Sequence, residues 1–94
     1  LVRAGKVRCV AISAQDHEHD AVLEAVSRRL VDGVQVIVNA FESRPAVSLL
    51  PLARERGVGV IARCVLDSGG LSGELGADDF AGRLFLKHAP YAEY

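Results

Sequence analysis

Three short runs of this chain are apolar on both sides of a strand's alternation, and a helix-like stretch separates each from the next. They are Val7 to Ile12, Val34 to Val38 and Val58 to Ala62. Strands that read as near-continuous apolar runs belong to parallel sheets with both faces covered. Strand–helix–strand–helix–strand at short spacing predicts right-handed crossovers and a three-stranded parallel sheet. The fold class expected is therefore α/β, with about three β/α units of a partial TIM-type barrel.

The elements between the runs carry their own signals. Lys6 to Ser13 reads as the first strand. Asp16 offers a helix N-cap, and Glu18 and Asp20 fall in the first turn, where the helix dipole favours anions. Val22, Val26 and Leu30 then recur at helical spacing, with Arg28 and Arg29 at the carboxyl end. Asp32-Gly33 punctuates before the second strand. Ser43-Arg44-Pro45 looks like a second helix start, with the proline near the first turn, where its missing N–H costs nothing. Leu49, Leu50, Leu52 and Ala53 continue it, Pro51 should kink or restart it, and Gly57 ends it. Asp78 towards His88 is expected to form a last helical stretch, and Pro90 to Tyr94 a tail.

At 94 residues, one domain over 1–94 is expected, well short of a full barrel of roughly 250 residues. Leu1 to Gly5 reads as a helix end with its glycine cap, and there is no methionine, so the chain is expected to be an excised or trimmed domain or part of a longer polypeptide. A formal net charge of −1 gives no reason to expect nucleic acid or an anionic membrane as partner. No apolar run approaches the roughly 20 residues of a membrane span, and a cytoplasmic location is expected. Cys9 and Cys64 fall on strands expected to flank a third, too far apart to bridge, which suggests two buried reduced thiols.

The charged and polar side chains divide into ordinary surface and candidates for chemistry. His17-Glu18-His19 places two histidines on different sides of a helix with nothing to complete a tetrahedral set, so a solvated helix terminus and no metal are expected. Asp67 and Glu74 read as carboxylates of a solvated loop. Arg63 directly follows the third apolar run, at the carboxyl end of a strand where barrel sites are built. After it come Ser68, Gly69, Gly70 and Gly73, the small residues of an expected ligand-binding loop at that strand end.

Several of these segments, in order, resemble the second half of the aldo-keto reductases, NADP-dependent TIM barrels. They are Gly5-Lys6-Val7-Arg8 leading to Ala11-Ile12-Ser13, Val34-Gln35 with Asn39, Leu49-Leu50-Pro51-Leu52-Ala53 through Gly57-Val58-Gly59-Val60-Ile61-Ala62-Arg63, and Leu66 with Ser68-Gly69 and Leu71-Ser72-Gly73. The resemblance covers strands five to seven of that barrel. It implies that Ser13 and Gln35 hold the nicotinamide carboxamide and that Arg63 lies beneath the nicotinamide ring. It implies also that Leu66, Ser68 and Gly69 line the pyrophosphate of NADP.

The chain departs from that pattern at Ala14, Val65 and Glu74, where the family usually has asparagine, proline and lysine. The family's catalytic aspartate, tyrosine, lysine and histidine come from strands one to four and have no counterpart in these motifs. The expected function is an aldo-keto reductase-like domain that does not reduce a carbonyl alone. The alternative is a repurposed half-barrel, either a cyclase or isomerase or a binding and scaffold domain of a biosynthetic assembly. Either version is expected to bury its open sheet face by pairing with itself, as a homodimer, or with a complementary half-barrel. A small-molecule ligand remains compatible with both.

Overall fold

The structure is a computed structural model that describes residues 1–15 and 18–74. The expected cap at Asp16, the placing of His17, the stretch from Asp78 to His88 and the tail with Tyr91 and Tyr94 lie outside the described residues.

Three strands form one parallel sheet in the order of the chain: β1 (Ala11–Ser13), β2 (Gly33–Ile37) and β3 (Gly59–Arg63). Between them run α1 (Leu23–Ser27) and α2 (Leu49–Arg56), each preceded by a turn of 3-10 helix, His19–Val22 and Arg44–Ala46. The two helices pack on each other and on one face of the sheet. Between these layers lies the core of Ala14, Val22, Val26, Val34, Val36, Leu49, Ala53 and Val58. The α/β class and the partial β/α barrel architecture are thus present.

The second helix shows why Pro51 is tolerated. Its 3-10 turn stops at Ala46 and a new helix begins at Leu49, which puts Pro51 in the first turn, where no backbone N–H has an intrahelical acceptor. The restart expected from the sequence occurs at Ser48. Gly57 then closes α2 at φ +65°, with Val58 N donating to the Ala53 carbonyl at 2.9 Å and Gly57 N to that of Arg54 at 3.3 Å. This six-to-one and five-to-two pairing is a Schellman cap. Gly5 makes the same pairing at φ +67°, donating to Val2 while Lys6 donates to Leu1, so the glycine cap read there is present on a turn over residues 2–5 and not on a helix.

Two elements are shorter than their patterns suggest. The first strand does not run from Lys6, and Val7 and Val10 are exposed, as is Cys9. The reason is its partner: β2 begins at Gly33, and Asp32 ends the ladder instead of extending it. The Asp32 carboxylate accepts from Val10 N at 2.8 Å, while Asp32 N donates to the Val10 carbonyl at 2.8 Å. Its own carbonyl accepts from Gly59 N at 2.9 Å, so one residue ties the amino ends of all three strands. The first helix stops at Ser27, and Arg29 takes a left-handed φ of +51°. Arg29 and Leu30 donate to Val26 and Ala25 in a further Schellman pairing, which swings Leu30 out to solvent.

Among the described residues the helices leave the other sheet face open, but that face is less apolar than both-sided runs imply. Its positions are Ala11 and Ser13, Gly33, Gln35 and Ile37, and Gly59, Ile61 and Arg63. Ile37 is buried although it stands outside the core cluster, whereas Ile61 is exposed. None of the helices among the described residues is long and apolar enough to cross a membrane.

Leu49 is fully buried at the centre of the two-layer core. Leu49→Ala is expected to lower stability by about 3 kcal/mol through lost transfer energy and a residual cavity. Urea unfolding checks this: the midpoint should fall with the slope unchanged, and a shift worth less than about 1 kcal/mol would place Leu49 outside the core.

Candidate functional site

Parallel pairing sets which side chains meet at the carboxyl end of the sheet. Ser13, Gln35 and Ile61 are register partners across the three strands, and Ile37 and Arg63 form the next row. The pleat puts these two rows on the face away from the helices. Ser13 and Gln35 stand at the end of β1 and within the last three residues of β2, and Arg63 closes β3.

Arg63 reaches back across the sheet. Its Nη2 donates to the Ala14 carbonyl at 3.3 Å, past the central strand. The Ser13 hydroxyl points to that same carbonyl at 3.4 Å, near the long limit of a hydrogen bond. One oxygen therefore gathers Ser13 and Arg63 over the end of β2, where Gln35 is half-buried. The set combines a hydroxyl, a primary amide and a planar cation on an open surface. A hydroxyl and an amide can both donate and accept, which suits recognition of another amide; a guanidinium suits stacking and anions.

The loop after β3 lies beside this set. A short 3-10 turn over Asp67–Gly69 carries left-handed backbone at Asp67, Ser68 and Gly69, with φ of +50°, +56° and +103°. Leu66 and Ser68 are exposed, and Gly69 is half-buried. Many loop amides bond within the loop: Gly69 N and Leu71 N to the Leu66 carbonyl, Gly70 N to that of Asp67, and Ser72 N to that of Gly69.

Four charged or titratable groups sit differently from their sequence reading. Asp67 is not a solvated carboxylate; it is 6% exposed, and its Oδ1 accepts from Asn39 Nδ2 at 3.2 Å. Glu74 is exposed, as a loop carboxylate should be. His19 is not part of a solvated terminus either, because the 3-10 turn rotates it into the protein, where it is 4% exposed with Nε2 3.2 Å from Asp20. Cys64 is half-buried, but Cys9 is exposed and lies on no strand, since the ladder stops at Ala11. Cys64 too lies outside its expected strand, just past the end of β3, and both thiols are free.

Sequence reasoning passed over Glu42 and underused Asn39. Glu42 is buried and takes Arg44 in a two-pronged pair, Nε to Oε1 at 2.7 Å and Nη2 to Oε2. That hydrogen bonding, aided by the attraction of the Glu42 charge, raises the Arg44 guanidinium further above its usual pKa. Asn39 directly follows β2 by two residues and accepts from Phe41 N and Glu42 N at 2.9 and 2.8 Å. An asparagine just past a strand, with a chain reversal after it, is the available signal for such an Asx turn.

An open groove of about 600 Å³ follows the outer side of α2, lined by Ala46, Leu50, Pro51, Arg54 and Glu55. It holds no convergent polar set and lies on the helix layer, away from Ser13, Gln35 and Arg63. Among the described residues, no three histidine, cysteine or carboxylate side chains cluster as a metal site would need.

Residues 1–83 match the family model described as the aldo/keto reductase family. Neither the curated proteins nor the solved structures yielded a match.

The placement of the thiols is directly testable. Both should react with Ellman's reagent in native buffer without reductant, the exposed Cys9 in a fast phase and the half-buried Cys64 in a slower one. Two equally slow thiols would contradict the short first strand.

Proposed function

Since this chain belongs to the aldo/keto reductase family, we propose that it forms the cofactor-holding end of such an enzyme's sheet, taking the nicotinamide and pyrophosphate of NADP(H). The observation that carries this reading is the convergence of Ser13 and Arg63 on the Ala14 carbonyl, with Gln35 in register beside them. A primary carboxamide needs a donor and an acceptor on rigid supports, and two neighbouring strands offer Ser13 and Gln35 in register on one face. The donor set thus fits the nicotinamide end.

The loop fits the phosphates in part. Its rim presents Leu66 and Ser68, and the Asp67 carboxylate is turned inward, so it does not repel an anion at the surface. Arg63 supplies the positive charge nearby. When bound, NADPH supplies a hydride. The residues of this chain bind and orient the ring; the family's proton-donating set comes from strands that these motifs do not include. Carbonyl reduction therefore belongs to this half together with a complementary one.

A second reading has a specific observation in its favour. The exposed Glu74 stands where the family usually has lysine, and several loop amides are already bonded internally. A site so altered suits a binding or scaffold role, or a non-redox half-barrel enzyme acting as a cyclase or isomerase.

Both readings need the open sheet face covered, and we assign that role to a second copy of the chain or to a complementary half-barrel. Among the described residues the helices bury only one face, and exposed Ile61 with half-buried Gln35 stands on the other. Closed two-fold pairing is the commonest way for a chain to bury such a surface in itself.

Fluorescence titration of NADPH tests the leading reading. A dissociation constant above about 10 µM but within the millimolar range is expected, because only part of the cofactor is held. Arg63→Ala should abolish that binding while the far-UV spectrum stays that of the folded chain. Absence of binding at millimolar NADPH would favour the second reading, and undiminished affinity in Arg63→Ala would move the site elsewhere. In sedimentation at micromolar concentration, the isolated chain is expected to run as a dimer or larger; a folded 10 kDa monomer would contradict the pairing.

A further inference from the structure

One side chain joins the loops that leave β2 and β3. Asn39 Nδ2 donates to the Cys64 carbonyl at 2.9 Å and to Asp67 Oδ1 at 3.2 Å. Its Oδ1 accepts from Phe41 N at 2.9 Å and from Glu42 N at 2.8 Å. Two donors and two acceptor sites are the full capacity of an asparagine, and all four are used. The orientation of the amide is also fixed, since a carbonyl on one side demands its NH₂ group and two N–H groups on the other demand its oxygen.

The loop that Asn39 holds is one that would not keep its shape unaided. Cys64, Asp67 and Ser68 are non-glycine residues at φ of +52°, +50° and +56°. Each such residue costs about 1 kcal/mol or more and persists only where its surroundings fix it. Gly70 completes the arrangement: a Cβ there would lie 3.2 Å from Asp67 Oδ2 and 3.3 Å from the Asp67 carbonyl oxygen, so any larger residue would crowd the inward carboxylate.

We infer that Asn39 and Asp67 are a positioning pair that fixes the Cys64–Gly70 loop and turns its one carboxylate away from the surface where phosphates bind. This rests on the cofactor reading above. The pair acts twice on the same site. It presents Leu66 and Ser68 on the rim in one conformation, and it withdraws a charge that would oppose a phosphate by about 1 kcal/mol even in water at 4 Å. Neither residue touches the cofactor; both act through the loop.

Hydrogen exchange and NADPH titration of the full chain, on wild type and variants, test the pair. Asn39→Asp removes both donors and sets a carboxylate against the Cys64 carbonyl and Asp67. It is expected to speed exchange of the 67–72 amides by at least about tenfold, leave the amides of β2 unchanged, and weaken NADPH by a similar factor. Asp67→Asn keeps an oxygen for Asn39 and should stay within about threefold of wild type in both readouts, whereas Asp67→Ala should follow Asn39→Asp. If Asn39→Asp unfolds the sheet, Asp67→Ala against Asp67→Asn carries the comparison. Unchanged loop exchange in Asn39→Asp or Asp67→Ala overturns the pair, and so does a loosened loop with undiminished NADPH affinity. If wild type binds no NADPH, the cofactor reading and the pair's role at that site both fall, and loop exchange then reports only whether Asn39 fixes the loop.

Discussion

The central strand is hydrogen-bonded on both sides in parallel register, and the geometry of the whole carboxyl end follows from that constraint. Parallel neighbours must be joined by crossovers, and right-handed crossovers in chain order put α1 and α2 on one side. The register then leaves no choice about which side chains share the opposite face: Ser13 stands beside Gln35, and Arg63 one row beyond. Asp32 holds this register at the other end, bonding Val10 twice and Gly59 once. The site and the staple are opposite ends of one ladder.

Much of this was readable in the residues because the signals were local. The αL glycine at 57, the proline at 51 and the both-sided apolar runs each specify a backbone event within a few residues. What escaped reading depended on partners distant in sequence. Nothing near Lys6 says that its strand must wait for Ala11; that is decided by where β2 begins, at Gly33. Leu30 keeps the helical spacing of Val22 and Val26, yet Arg29 turns the chain before Leu30 can reach the core. Asp67 and Asn39 are 28 residues apart, so an inward carboxylate could not be seen from the loop's own composition. The positions of Ser13 and Arg63 were legible, since a residue at the end of an apolar run occupies a strand's carboxyl end. Gln35, early in its run, stood out only through the family resemblance, and the convergence of Ser13 and Arg63 on one carbonyl was not legible.

Charge is handled in this region by pairing and not by exposure. Glu42 is buried beneath Arg44, Asp67 beneath Asn39, and Arg63 is held by a backbone carbonyl. A buried carboxylate without such partners costs several kcal/mol, so each is matched locally. The consequence for function is a rim that is nearly uncharged apart from Arg63, beside an exposed Glu74 at its far end. That surface is compatible with a dinucleotide approached chiefly through backbone, hydroxyl and one guanidinium. It is also compatible with a neutral ligand, which is why affinity alone is a weaker criterion than location.

Location is what a two-dimensional ¹⁵N–¹H spectrum of the labelled chain reports as NADPH is added. Shifts should concentrate on the amides of Ser13, Ala14, Gln35 and the Arg63–Gly70 loop, with those of α2 unmoved. Shifts centred on Ala46, Leu50 and Arg54, along the groove of α2, would contradict a site built at the carboxyl end of the sheet.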